Sequence, residues 1–388
     1  MLKFLIKDYL ETVGKKTFAE VPFNEIDFAI CGSLSYADFV ATSIYSTFNH
    51  WEDRVPLSVF NKHETIKLLS RRYLSGPLVF YNFFKALVNS KRYEELRITK
   101  FRNVMDDVNY GQFCGMVFEF NDRKIIIYRG TDNTITGWKE DFLTAIHDKI
   151  PSQQYALQYL DDVLQDDKEH DYYILGHSKG GNLAYYAFFN TSDENRNRII
   201  YCYNMDGNGF KNDTFDYKKY KKKISKIVPN EDVVGCIFDT FSFKHIVESD
   251  AKSIFAHDML SWKINPKTKN TFVHASELTR FTKAYQVSIN YWVQHLSEED
   301  LGDFIDFIFS LVDLGNPKTL DDISHSFKVN SLVYFKTLNK YPAEKKKRIK
   351  AMCLNFLKDF THAYLTLPLI EKKDDSDAKS KEAKQYGN

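Results

Sequence analysis

The residues of this chain best suited to covalent chemistry are Gly176-His177-Ser178-Lys179-Gly180-Gly181. A serine hydroxyl becomes a nucleophile when a turn presents it, a histidine takes its proton and a carboxylate orients that histidine. The approach to Ser178 is the apolar run Tyr172 to Leu175, which reads as a buried strand. The exit, from about Lys179 to Phe189, reads as a helix. A strand, Gly-x-Ser-x-Gly and a helix together have the form of a nucleophile elbow. The glycines allow strand and helix backbones to approach each other. The helix N-terminus points amide dipoles at the place where negative charge would develop.

The base and the acid should follow in the order Ser, then Asp or Glu, then His. His257, in Phe255-Ala-His-Asp-Met-Leu-Ser-Trp262, lies in a loop-like stretch past the last strand candidate and is the expected base. His245 and His274 are the alternatives, whereas His295, His325 and His362 fall in a helical region. His177 should be a packed neighbour of the serine. Two aspartates compete for the acid, each just beyond the C-terminal end of a strand, where open α/β sheets keep their sites. Asp232, in Val228-Pro-Asn-Glu-Asp-Val-Val-Gly235, is ranked first, and Asp206, in Asn204-Met-Asp-Gly-Asn-Gly-Phe210, second. Glu231 is a distant third. Either aspartate also reads as turn chemistry. For an oxyanion, the backbone N–H of Lys179 is one expected donor. The other is Thr131, in the turn Arg129-Gly-Thr131 after the apolar run 125–128.

These residues need a scaffold that brings strand ends together. Ile98 to Val104, Gln112 to Phe120 and Lys124 to Arg129 read as strands, with a tight turn at Asn121-Asp122. A helix is expected over Ser152 to Gln165, and further strands over Ile199 to Asn204 and Ile224 to Val228. Alternating strands and helices predict βαβ units and a mainly parallel sheet. Residues 1–95 read as a helical N-terminal flank, with helical spacing over Phe39 to Phe48 and Ile66 to Phe84. The core is expected over 96–265 and a helical region packed on it over 266–370, with an apolar-patterned helix at 301–314 behind Ser297-Glu-Glu-Asp300. Asn316-Pro317 should break that helix. The helical flanks either only cover the sheet or also roof the site with an apolar acyl pocket. Residues 371–388 are charged and read as a disordered tail.

Composition narrows the classes. Among 388 residues, 53 Lys and Arg balance 52 Asp and Glu, so no nucleic-acid partner is indicated. The basic runs 218–223 and 345–350 read as solvated faces, with peripheral contact to anionic lipid headgroups as the alternative. Five dispersed cysteines indicate neither a disulfide framework nor a zinc site and fit a cytoplasmic protein. No stretch has the length of a transmembrane span, and no metal-ligand spacing or phosphate loop appears, so no cofactor is expected.

Tyr128-Arg-Gly-Thr131, Gly176-His-Ser-Lys-Gly-Gly-Asn182 and a later histidine together resemble the class 3, fungal-type lipase branch of the α/β-hydrolases. The chain is more closely similar to a family of bacterial α/β-hydrolase-like proteins. That similarity rests on Val21-Pro-Phe-Asn-Glu-Ile-Asp27, Arg129-Gly-Thr-Asp132, Gly137-Trp-Lys-Glu-Asp141, Gly176 to Ala184, Asp206-Gly-Asn-Gly-Phe210 and His257-Asp258, and covers roughly residues 20–315. It implies an α/β-hydrolase fold and a Ser-His-acid triad. Members of that family often carry Ser where this chain has Asp232, which implies either that Asp206 is the acid or that the acid varies within the family. The resemblance to lipases places the oxyanion hydroxyl on Thr131.

The expectation is therefore an α/β-hydrolase fold with a mainly parallel sheet, an early antiparallel hairpin and helical flanks. The expected activity is hydrolysis of a carboxylic ester, with a lipid or other small ester as substrate. A thioesterase or amidase on the same triad, or a binding scaffold with a hydrolase fold, are the alternatives.

Overall fold

A computed structural model describes residues 4–41, 46–48, 50–71, 73, 75–106, 111–131, 140, 149–313 and 341–367. The tail 371–388, the Asn316-Pro317 break and, apart from Glu140, the stretch 132–148 with its Gly137-to-Asp141 motif lie outside the described residues.

Eight strands form one sheet in chain order. They are β1 Val55–Pro56, β2 Arg97–Asp106, β3 Gly111–Phe120, β4 Arg123–Tyr128, β5 Tyr172–His177, β6 Ile199–Met205, β7 Ile224–Pro229 and β8 His245–Val247. Strands β1 to β4 are antiparallel, and β4 to β8 run parallel. The hairpin at Asn121-Asp122 joins β3 to β4, but the antiparallel part is wider than one hairpin, because β1 and β2 extend it. The fold is that of an α/β-hydrolase.

Helices α1 (Ile6–Thr12), α2 (Glu25–Leu34), α3 (His63–Ser70) and α4 (Pro77–Val88) precede β2. Helix α5 (Pro151–Asp166) lies between β4 and β5. Helix α6 (Lys179–Asn190) and the short α7 (Asp193–Asn197) lie between β5 and β6. Parallel strands added in one direction by right-handed crossovers put their connections on one face. Accordingly α5 and α6 share a core with Phe113, Val117, Ile126, Tyr128, Ile174 and Cys202. The opposite face, with Ile125, Ile127, Leu175, Met205 and Ile227, is covered by the N-terminal flank through Ile26, Ile30 and Leu34 of α2. The alternation of Ile125, Ile126 and Ile127 between the two cores is the period-2 pattern of a strand buried on both sides.

The N-terminal flank is pinned by a buried ion pair. Arg92 donates to both carboxylate oxygens of Asp27, at 2.8 and 2.6 Å, and its remaining N–H groups meet the carbonyls of Val21 and Pro22. This fork geometry satisfies a guanidinium in a dry site. Asn24 caps α2 by accepting from the Ile26 N–H at 3.0 Å.

Two helical expectations change. The pattern over Ile66 to Phe84 is split into α3 and α4, because Gly76 has φ +104° and Pro77 starts the second helix. Of Phe39 to Phe48, the described residues 39–41 and 46–48 are not helical. Their apolar spacing serves an aromatic cluster instead: Phe39 and Phe48 lie 5.7 Å apart, and both pack on Phe60 and Phe101.

Helices α8 (Arg280–His295), α9 (Glu298–Asp313) and α10 (Ala343–Thr366) follow the sheet. Trp292, Leu301, Ile305, Phe307, Ile349 and Met352 bury one another together with Phe238, from the segment after β7. The side chains of Leu301, Ile305 and Phe307, in the helix considered as a roof, are thus taken up by this third cluster. No described helix is long and apolar enough to cross a membrane.

Candidate active site

Ser178 stands between β5 and α6 with φ 58° and ψ −134°. This conformation is costly for a residue with a Cβ and is held by the crossing of strand and helix. A Cβ on Gly176 would collide with the Gly180 carbonyl, and one on Gly180 with the Tyr128 carbonyl. Glycine at both positions lets the turn close. Ser178 is half-buried, and a Cβ on Gly130 would lie 3.0 Å from the Ser178 Cβ. The turn after β4 therefore abuts the serine.

Lys179 is the first residue of α6, so its N–H lies in the first turn, where no intrahelical acceptor exists. Its side chain points away into the protein. Nζ bonds Glu140 Oε2 at 2.7 Å and the Gln112 carbonyl at 3.1 Å. Glu140 also accepts from the Gln112 and Ser152 N–H groups, each at 3.0 Å. The motif residue Glu140 thus anchors the start of α6.

Thr131 is buried, and its Oγ1 has no hydrogen-bond partner among the described residues. Leaving a buried hydroxyl unpaired costs about 1–3 kcal/mol, which marks the group as available to a ligand.

His257 ends a 3₁₀ turn, Ser253–His257, and is buried. Its Nδ1 lies 2.6 Å from Asp206 Oδ2. Asp206 follows β6 with φ 52°. Its N–H bonds the Ile227 carbonyl at 2.8 Å, and Gly207 N–H bonds Asn204 Oδ1 at 2.8 Å. Asn182 of α6 donates to the Gly209 carbonyl at 2.9 Å and accepts from Gln153 at 2.9 Å, fastening the loop behind Asp206. Burial pushes the Asp206 carboxyl up to about 7, against the opposing pull of a hydrogen bond from Asp232 and of the Lys226 charge.

Asp206, and not the first-ranked Asp232, is the aspartate that meets His257. Strand β6 pairs directly with β5, which leads to Ser178, whereas β7 is one strand further out. Asp232 Oδ1 turns back to accept the Val234 and Gly235 N–H groups, at 2.8 and 2.7 Å. This is the turn chemistry that an aspartate at such a position supports. Of the alternative histidines, His245 opens β8 and is exposed. His274 lies on a segment bridged to Val247. Glu231 is half-buried beside Asp232.

His177 is packed as expected, but it also braces the site. Its Nε2 faces the His257 carbonyl at 2.8 Å, so Nε2 carries the proton. Nδ1 then accepts the Tyr36 hydroxyl at 2.7 Å. Burial, followed by the neighbouring His257, holds its pKa well below the usual histidine value, keeping the ring neutral. Tyr73 donates to Asp258 at 2.7 Å on the other side of His257. Tyr36 and Tyr73 carry no sequence signal of their own, since they come from the N-terminal flank. Among the described residues no cluster of His, Cys, Asp or Glu could hold a metal ion.

The profile of Mbeg1-like proteins matches residues 87–310, more than half of the chain. The chain belongs to the Mbeg1-like family. The part of this Mbeg1-like chain that matches contains Thr131, Ser178, Asp206, Asp232 and His257. Among solved structures, the Rhizomucor miehei lipase in its propeptide complex is similar, with 12% identity and a TM-score of 0.33 over 63% of this chain and 75% of that one. The Lip2 lipase from Yarrowia lipolytica has 11% identity and a TM-score of 0.32 over 59% of this chain and 89% of that one. No curated protein matches. The Mbeg1-like chain is a lipase-like α/β-hydrolase.

Proposed function

We propose that this Mbeg1-like chain is a serine carboxylic-ester hydrolase acting on a lipid or other small ester. The observation that carries the reading is the 2.6 Å contact of His257 Nδ1 with Asp206 Oδ2, at the end of the strand beside the Ser178 turn. A carboxylate at Nδ1 fixes the histidine tautomer, leaving Nε2 as the base. In the proposed reaction Ser178 Oγ attacks the ester carbonyl as His257 Nε2 takes its proton. The same proton then goes to the leaving alcohol, and water cleaves the acyl-enzyme by the reverse relay. The Lys179 N–H and the Thr131 hydroxyl are assigned to the oxyanion, since the latter is a buried donor with no described partner.

The test is treatment of the folded protein with a fluorophosphonate, followed by peptide mass spectrometry. An adduct on Ser178, absent in Ser178→Ala, is expected. A folded protein that takes no label would instead be a scaffold with a hydrolase fold.

A further inference from the structure

We propose that Asp232 works as an un-ionised carboxylic acid whose O–H donates to Asp206 Oδ1, making it the positioning residue that keeps Asp206 available to His257. This rests on the reading of Ser178, His257 and Asp206 as the reacting set.

The geometry begins at Gly235. Its N–H is taken by Asp232 Oδ1 at 2.7 Å. A Cβ built on it would collide with Asp206 Oδ1 and lie 3.2 Å from Asp232 Oδ2. The two carboxyl groups therefore converge over this glycine, each with one oxygen already used: Asp206 Oδ2 by His257, and Asp232 Oδ1 by the two backbone N–H groups. Asp206 Oδ1 is buried and makes no full hydrogen bond to an amide or hydroxyl among the described residues, although the Gly235 N–H lies near enough to pull the Asp206 pKa down. The largest pull on the Asp206 carboxyl against burial is hydrogen bonding from the Asp232 side chain, ahead of Lys226 and the Gly235 N–H.

Two carboxylates cannot share a dry site; one must hold a proton. The bond to His257 requires an acceptor on Asp206, so the proton belongs to Asp232 Oδ2. The surroundings agree. Burial, then the charge of Asp206, pushes the Asp232 carboxyl well above its ordinary range. Lys226 of β7 pulls both carboxyls down, but its Nζ is already held by the Gly235 carbonyl and Asp239 at 2.7 and 2.8 Å. The other ionisable groups facing the pair are Cys236 and, from α8, Tyr285, both pushed upward by burial and so neutral. Two lysines, Lys226 and Lys244, against Asp239 and two ionised aspartates would leave one negative charge in excess, and one proton between Asp206 and Asp232 removes it. The donated hydrogen bond lowers the Asp206 pKa against burial. Without it, Asp206 would take up a proton at higher pH and cease to offer His257 a carboxylate.

The test compares pH profiles of kcat/KM for a p-nitrophenyl ester in the wild type, Asp232→Leu and Asp232→Asn, with fluorophosphonate labelling in parallel. Asp232→Leu deletes the donor and should lose about 10–100-fold at neutral pH, the worth of a hydrogen bond to a charged group. Its acid limb should move to higher pH, so the loss shrinks as pH rises. Asp232→Asn keeps an N–H for Asp206 and a carbonyl for Val234 and Gly235. It should rescue most of the loss and restore the acid limb. A loss in Asp232→Asn as large as that in Asp206→Asn would overturn the proposal, since Asp232 would then act through its charge. Infrared spectroscopy supplies a reading independent of turnover and of whether the Leu variant folds. Wild type above pH 8, where Asp206 itself is ionised, should show a buried carboxylic C=O stretch that Asp232→Asn lacks. Labelling of Ser178 without that band sinks the proposal alone. No labelling of folded wild type sinks the catalytic reading, and the positioning role with it.

Discussion

His257 Nδ1 and Asp206 Oδ2 lie 2.6 Å apart, although 51 residues separate them in the chain. The contact joins the end of β6 to a 3₁₀ turn beyond β8, so both residues depend on strand ends and not on local sequence. If Asp206 orients His257 as proposed, Asp206→Asn should lower kcat by roughly 10⁴-fold with little change in fold, as for a serine-protease aspartate. Circular dichroism and steady-state kinetics on the purified variant check this. Retention of more than a tenth of the activity would remove Asp206 from the set.

Asp206 also couples activity to pH. Its carboxyl is pushed up to about 7 in the folded protein, from an ordinary 3.8. The ionised form is the useful one, so kcat/KM should rise as pH increases through about 7. Stability should run the other way. A raised carboxyl pKa stabilises the fold below the unfolded value, and that contribution is lost as pH rises through the folded one. Urea denaturation should therefore find Asp206→Asn more stable than wild type above neutral pH, and less so near pH 4. An equal difference at both values would contradict the assignment.

Thr131→Val keeps the shape of the side chain and removes its hydroxyl. As Oγ1 has no described partner, folding should lose little or even gain. Loss of one oxyanion donor should still reduce kcat by about 10²–10³-fold. Unchanged kcat, measured with a p-nitrophenyl ester, would leave 129–131 as a plain turn.

The Asp27–Arg92 pair predicts a pure stability effect. Both side chains are fully buried. Asp27→Ala leaves an unpaired guanidinium and should cost about 3–5 kcal/mol. Thermal and chemical denaturation measure this directly. A change below about 1 kcal/mol, as at a surface pair, would mean that the guanidinium finds other partners.

Much of the scaffold was legible because its strands carry short apolar runs, such as 125–128 and 172–175, and its turns carry Asn-Asp or glycine. The run at 172–175, the glycines of 176–181 and the helix after them leave one reasonable reading. Strands β1 and β8 were not legible, since two or three residues carry no periodicity. The choice between Asp206 and Asp232 could not be made from residue types and spacing. Both follow apolar strands in turn-forming company, and the difference lies in which strand is the neighbour of β5. The bracing of His177 by Tyr36, across 141 residues, had no local signal at all.

The one-way order of the strands has a consequence for biosynthesis. Helices α1 to α4 leave the ribosome first, yet the surface they cover includes Leu175, Met205 and Ile227, made roughly 100 residues later. At about 5–20 residues per second the nascent flank waits roughly 5–30 s with its apolar side uncovered. The α5 and α6 face closes almost as soon as it is translated. The flank is thus the part of the nascent chain most in need of a holdase, and Asp27–Arg92, which both emerge before any sheet strand beyond β1, is the contact able to keep it compact meanwhile.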